Sequence, residues 1–294
     1  MVQIGFIGAG KVGTLLGRYF RSKAFEVVGY YSHRMEDSQQ SAILTDSRAF
    51  SEAASLVAAC EWVFLTVGDD GLSEVWQRIR PHLRVGQVIF HCSGAKSLAV
   101  FTNVPAGVET CSLHPLLAID SGNQSLDAIK QAAFTVELAT PDSQLLNQLS
   151  GLGNPLTVIE GAQKIRYHAA CVFFSNLVIG SVENGTTLFE ACGLPKDFTA
   201  TAWQPLFLAN ARNLVENGPQ AALTGPVERN DLSTVTDHLK ALPNDQVALY
   251  ELLSRFLLQI AQQKHPEIDY SDMERILQNE ENGYDTAKAE TTRK

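Results

Sequence analysis

At 294 residues the chain has room for two domains, and a 45% share of hydrophobic residues is that of an ordinary globular protein. A net charge of −9 argues against a general nucleic-acid or anionic-membrane surface, and no uninterrupted apolar run approaches the roughly 20 residues needed to cross a bilayer. Cys60, Cys92, Cys111, Cys171 and Cys192 are scattered, odd in number and without C-x-x-C spacing. They read as small buried hydrophobes of a reducing cytosol, not as a disulfide or metal framework.

Val2 to Ile7 predicts a short apolar strand, starting too early to leave space for a signal peptide. It runs into Gly8-Ala9-Gly10-Lys11-Val12-Gly13, and Val12 to Phe20 reads as an amphipathic helix. G-x-G-x-x-G between a strand and a helix is the pattern of a dinucleotide site. There Gly8 lets the chain turn tightly, Gly10 lets backbone approach the pyrophosphate, and Gly13 lets the helix pack on the strand. The helix start offers unpaired N–H groups and a partial positive charge to the phosphates.

Phe25 to Tyr31 predicts a second strand, ending in Ser32-His33-Arg34. An NAD site usually has Asp or Glu at this strand end for the ribose 2′-hydroxyl. Ser32 and Arg34 suit a 2′-phosphate instead, through charge-assisted hydrogen bonds. The expected cofactor is therefore NADP, as NADPH. Glu36 and Asp37 are assigned to the turn beyond; either one reaching the ribose would reverse the preference.

A strand–helix rhythm continues: a helix over 51–59, a buried strand over 62–67, a helix over 71–79 and a strand over 87–91. Val67-Gly68-Asp69 and Cys92-Ser93-Gly94 follow strand ends, where open parallel sheets bind ligands. Cys111 to Leu116 reads as a further strand end, with His114 either lining the site or merely hydrogen-bonded. Runs over 133–138 and 156–159 finish a doubly wound α/β sheet. From residue 161 helix patterns dominate, over 162–191, 198–215, 219–222, 231–239 and 245–265. The domains are therefore expected at 1–160 and 161–280, with a charged tail over 281–294.

The long apolar stretch after residue 161 carries Lys164, His168 and Asn176. In a continuous helix Lys164 and His168 share a face, and Asn176 drifts about 80° further round. The apolar residues between them predict a largely buried stretch, so these polar groups need partners, and a cleft beside a nicotinamide would supply a reason for them. The alternative is a snorkelling lysine and a satisfied core histidine. Tyr167 lies one residue off that face and is set aside. In Leu223 to Asp231, Thr224-Gly225-Pro226 is a turn and Asp231 a helix N-cap. Arg229 either grips an anionic substrate or forms a surface ion pair.

The succession of G-x-G-x-x-G, Val67-Gly68-Asp69-Asp70, His91-Cys92-Ser93-Gly94, His114-Pro115-Leu116, Tyr167-His168-Ala169-Ala170, Ser175-Asn176 and Leu223-Thr224-Gly225-Pro226 resembles one group. It is the Rossmann-like oxidoreductases whose C-terminal domain is catalogued as being of unknown function. That group is similar to ketopantoate reductase, pyrroline-5-carboxylate reductase, deazaflavin-dependent NADP oxidoreductases and β-hydroxyacid dehydrogenases. The resemblance implies an all-α C-terminal domain of the 6-phosphogluconate-dehydrogenase type, a homodimer, and a site between the domains. In ketopantoate reductase and the β-hydroxyacid dehydrogenases a Lys, and an Asn one turn later, act on the substrate. Lys164 matches the Lys, but His168 stands where the Asn would be, leaving the proton donor open between them.

The expected function is reversible hydride transfer from NADPH to a small anionic carbonyl compound, such as a 2-keto acid, or to an imine. Lys164, His168 and Asn176 would be catalytic, with His114 and Arg229 at the substrate. The alternatives are a non-catalytic NADP-binding sensor and an enzyme whose partner is a deazaflavin.

Overall fold

The computed structural model describes residues 1–119, 126–140 and 144–278. Eight strands form one sheet: β1 (Gln3–Ile7), β2 (Glu26–Tyr31), β3 (Arg48–Ala49), β4 (Trp62–Leu65), β5 (Val88–His91), β6 (Glu109–Pro115), β7 (Phe134–Leu138) and β8 (Leu156–Val158). Their spatial order is β3-β2-β1-β4-β5-β6-β7-β8. The chain builds outward one way from β1, then returns to add β4 on the other side. That reversal opens a crevice at the carboxyl ends of β1 and β4.

The central strands are apolar along their whole length because both faces are covered. On one face Phe64 stacks on Phe90 with ring centroids 4.2 Å apart, and Phe6 stacks on Phe64. Helix α1 (Lys11–Ser22) lays Leu16, Tyr19 and Phe20 onto that layer. Alternate residues Ile7, Val63, Leu65 and Ile89 point the other way, toward α3 (Ala53–Ala58) and α4 (Leu72–Ile79). Helix α2 (Met35–Thr45) and two short helices, α5 (Leu126–Gln131) and α6 (Gln144–Ser150), complete the layers. The sequence reading missed α2, α5 and α6.

One pairing departs from parallel. β7 runs antiparallel to β6, with His114 opposite Thr135. The link between them leaves and re-enters at one end of the sheet, where the Leu116 N–H donates to the Ala133 carbonyl at 2.8 Å.

The chain falls into two compact units, Met1–Val178 and the residues from Ile179 on. Helix α7 (Lys164–Phe174) belongs to the first unit, where Lys164 ties it to the sheet. The expected continuous helix over 162–191 is corrected to α7 and α8 (Asn176–Ala191), broken at Ser175. The Ser175 hydroxyl donates back to the Cys171 carbonyl at 2.8 Å, a bond that competes with helix continuation. The expectation that this stretch is largely buried is also corrected. Lys164 is the buried residue of α7, whereas Phe173 and Phe174 are 62% and 85% exposed. Gly161–Ala191 is moreover long and apolar enough, by length and composition, to cross a membrane.

The second unit contains α9 (Lys196–Thr199), α10 (Gln204–Ala222), α11 (Leu232–Ala241), α12 (Asn244–Lys264) and α13 (Ser271–Gln278). Helix α10 is interrupted at Gly218, whose φ of 77° is non-helical, just before Pro219. Its core gathers Val227, Val235, Leu258, Tyr270, Met273 and Leu277. The last two come from α13, which the sequence reading missed. The expected tail over 281–294 lies outside the described residues. Of the cysteines expected inside, Cys60 and Cys111 are buried, Cys92 and Cys171 half-buried, and Cys192, just beyond the end of α8, exposed.

Candidate functional site

The turn from β1 into α1 has the form that the glycine spacing predicts. Gly8 sits at φ +107°, and a Cβ there would stand 2.5 Å from the Thr66 carbonyl oxygen. A Cβ on Gly13 would collide with the Gly8 carbonyl and the Thr66 hydroxyl, so this glycine lets the helix approach the strand. Gly10, by contrast, faces open space. It caps α1 without a side-chain hydrogen bond, so the first-turn N–H groups are not capped by a side chain. Ala9 and Val12 are half-buried beside it, and Lys11 is exposed.

At the end of β2, Ser32 is half-buried and His33 and Arg34 are exposed. A small pocket there is lined in part by Gly8, Ser32, His33, Val67, Glu74 and Arg78, and the Arg78 guanidinium lies 5.3 Å from the Tyr31 ring centre. Glu36 and Asp37 belong to the first turn of α2, not to a turn beyond the site. The Arg34 fork donates from Nε and Nη2 to the two Asp37 carboxylate oxygens, 2.9 Å each.

Beyond β4, Val67 and Gly68 lead into a short turn at Asp69, whose carboxylate accepts from the Ser93 hydroxyl at 2.9 Å. The same hydroxyl accepts from the Lys96 N–H at 2.9 Å, which holds the loop after β5 tightly curled. Gly94 is buried in that loop because two rings close on it. A Cβ there would stand 2.7 Å from His168 Cδ2 and 2.8 Å from His114 Nε2. His114 projects from β6 and His168 from α7, and their ring centres are 6.3 Å apart.

Lys164, Tyr167 and His168 occupy i, i+3 and i+4 of α7 and so share one face. The Lys164 ammonium donates to the Ser93 carbonyl at 2.9 Å and to the Ser112 hydroxyl. It is 1% exposed, and burial lowers its pKa while the Glu137 carboxylate opposes that shift. Tyr167 Oη is 2.7 Å from His114 Nδ1. Burial, then the positive charge of Lys164 and His168, brings His114 down to about 4, with Asp69 opposing. Burial brings the fully enclosed His91 down to about 3. Both imidazoles are therefore neutral at pH 7.

The first unit thus brings together His114, Lys164, His168, Ser93, Gly94 and Asp69. Sequence reasoning missed Ser112, which had no motif to mark it, and set aside Tyr167, whose i+3 spacing from Lys164 was a usable signal. Asn176 is not placed by a continuous helix. It is exposed after the break, and its side-chain oxygen accepts from the Ser175 hydroxyl at 3.1 Å. Arg229 is exposed in the second unit. Its neighbour Glu228 instead pairs with Lys264 at 3.1 Å and His265 at 2.8 Å. Asp231 caps α11, as expected, by accepting from the Thr234 N–H.

Residues 1–115 match the model of the Rossmann-like domain, and residues 132–256 match that of a domain of unknown function, DUF2520. The chain carries a Rossmann-like domain and a DUF2520 domain. The DUF2520 match includes β7, β8 and all of α7, so Lys164, Tyr167 and His168 belong to it while His114 belongs to the Rossmann-like match. No curated protein matches. Among solved structures, the chain is similar to a candidate NADP oxidoreductase from Bacteroides fragilis. The two are 24% identical with a TM-score of 0.70, over 88% of this chain and 98% of that one. Protein TM1727 from Thermotoga maritima is 22% identical with a TM-score of 0.69, over 89% and 99%. A 1-pyrroline-5-carboxylate reductase from Streptococcus pyogenes is 16% identical with a TM-score of 0.61, over 90% and 98%. These likenesses show the fold.

Proposed function

We propose that the protein is an NADP-dependent oxidoreductase that reduces a small carbonyl or imine compound. The observation that carries this reading is the convergence of His114 and His168 on Gly94, beside the carboxyl ends of the strands that flank the glycine turn. Fold neighbours include a candidate NADP oxidoreductase, pyrroline carboxylate reductases and imine reductases, which agrees with it.

The residues present fit a dinucleotide. The open Gly10 and the start of α1 would hold its pyrophosphate, Ser32 and Arg34 its 2′-phosphate, and Val67, Gly68 and Ser93 its course across the strand ends. When bound, the nicotinamide would supply the hydride. His168, half-buried beside Gly94, delivers the proton to the oxygen or nitrogen on which negative charge develops. Lys164 does not reach out to the substrate. Its ammonium holds the Ser93 and Ser112 oxygens in place and contributes positive potential from below the site, which favours an anionic substrate.

A second copy of the chain is the proposed partner. Phe173 and Phe174 at the end of α7 stay exposed in the single chain, and adjacent large apolar side chains of that kind call for cover. Light scattering would read the dimer.

The test is titration of the purified protein with NADPH and NADH, with and without 2-keto acids and cyclic imines. NADPH binding plus substrate-dependent oxidation is expected. His168→Ala should lower turnover at least about 100-fold while leaving NADPH affinity unchanged. Binding without oxidation by any substrate would favour a sensor or a deazaflavin partner, and no binding of either cofactor would sink the reading.

A further inference from the structure

Tyr167 has no part in the proton transfer just described, yet it holds one corner of the His114 ring. The phenol oxygen lies 2.7 Å from Nδ1, while Nε2, at the other corner, is the atom packed against Gly94. A neutral imidazole has one N–H and one lone pair, and the partner of one nitrogen decides which of the two faces the site. A phenol is a strong donor and a weak acceptor, whereas an imidazole lone pair is a strong acceptor. The hydrogen bond therefore runs from O–H to Nδ1.

We propose that Tyr167 is a positioning residue that donates its hydroxyl proton to His114 Nδ1, fixes the Nε2–H tautomer, and so selects a carbonyl oxygen over a protonated imine at this site. What Nε2–H meets rests on the reductase reading; the tautomer is a property of the chain alone.

The surroundings of the ring agree. His114 faces Lys164, Tyr167 and His168 from α7, Asp69 from the loop after β4, and His91 from β5. Burial keeps the Tyr167 phenol protonated, with the Thr135 hydroxyl working the other way. The result is a neutral imidazole N–H beside a buried lysine. A carbonyl oxygen gaining negative charge is stabilised by such a donor, since a neutral histidine can polarise a carbonyl without giving up its proton. An iminium N–H offers a donor where the ring already presents one, and its positive charge is repelled by Lys164.

The experiment is nitrogen NMR of the histidine rings in the free protein between pH 6 and 8, with His114→Gln used to assign the signal. An unprotonated Nδ1 and protonated Nε2 in the wild type, becoming a tautomer mixture in Tyr167→Phe, is the expected result. A protonated Nδ1 in the wild type, or an unchanged ratio in the variant, would overturn the proposal. Should Tyr167→Phe fail to fold, 3-fluorotyrosine at position 167, a stronger donor, must shift the Nδ1 signal; an unmoved signal counts against it equally. In turnover, Tyr167→Phe should lower kcat for a carbonyl substrate about tenfold with unchanged NADPH affinity. Faster oxidation of NADPH by cyclic imines than by any carbonyl would refute the selection of carbonyls. Oxidation by neither would sink the reductase reading, and the ring spectra would still decide the tautomer.

Discussion

The sheet and the helices that follow it solve the burial problem differently. Between α1 on one face and α3 and α4 on the other, the sheet encloses its aromatic and branched side chains within one chain; Phe6, Phe64, Phe90 and Trp76 are fully buried. The helices from α7 onward carry a comparable apolar content but leave Phe174 at 85% and Leu206 at 73% exposed. A parallel strand must be covered on both faces wherever it occurs, so its residues announce their surroundings. A helix needs one apolar stripe, and the stripe does not say whether its cover comes from the same chain.

The largest expected effect lies at the most constrained point of the sheet. Gly8→Ala places a Cβ 2.5 Å from the Thr66 carbonyl oxygen at a φ of +107°, which costs about 1–3 kcal/mol of strain. NADPH affinity should fall at least about 100-fold, read by fluorescence titration, because relief of the strain moves the backbone that meets the pyrophosphate. Unchanged affinity would show that this turn does not bind the phosphates.

Acid should separate the two regions next. In the unfolded chain His91 and His114 take up protons near pH 6.5, but in the folded sheet only near 3 and 4. The unfolded state therefore binds protons first as pH falls. Stability is full above pH 6.5 and declines below it, by up to about 1.4 kcal/mol per pH unit for each histidine, until the folded pKa values are reached. In the second unit the resolved carboxylate shifts at Glu228, Asp231 and Asp269 are downward, held by hydrogen bonds to His265, Thr234 and Ser271 respectively. Their contribution persists until pH falls below the ordinary carboxylate range. A Trp203→Phe variant leaves Trp62 and Trp76 as reporters of the sheet. Denaturation of that variant at pH 7 and pH 5 should show the midpoint falling, and an unmoved midpoint would count against the buried neutral histidines.

Phe174→Glu tests the helical side of the comparison. It should convert the proposed dimer to monomer by light scattering while leaving sheet fluorescence unchanged. An unchanged mass would place the second copy elsewhere.

The same contrast explains what could be read from residues alone. The glycine turn was legible because Gly8 and Gly13 each answer a local steric demand, and most strands were legible from unbroken apolar runs. Helix α13 was not, because Ser271 to Gln278 is polar apart from Met273, Ile276 and Leu277. The break at Ser175 was hidden too, since one serine back-bonding to Cys171 leaves no periodic trace. At the site, Lys164 and His168 stood out by spacing. The role of Tyr167 depended on His114, which is distant in sequence and brought near by the pairing of β6 in the sheet.

The smallest expected effect concerns the choice between NADP and NAD at the end of β2. Arg34 is the expected binder of the 2′-phosphate, and its fork is closed onto Asp37 by a pair of 2.9 Å hydrogen bonds. The pair is cheap to open, because Arg34 is 76% exposed and surface ion pairs contribute at most about 1 kcal/mol. A 2′-phosphate carries more charge than the carboxylate it would displace, so NADPH can take the guanidinium while NADH gains nothing from releasing it. Arg34→Ala should therefore lower the NADPH-to-NADH affinity ratio by about tenfold, the equivalent of one charge-assisted hydrogen-bonded contact. Asp37→Asn should raise it by a few-fold, since the fork is then already free and a repelling carboxylate is gone. Opposite movements in the two variants would assign Arg34 to the phosphate. A drop in both would mean that Asp37 holds the guanidinium in its binding position, and a rise in NADH affinity with Arg34→Ala alone would return the site to the ribose hydroxyl.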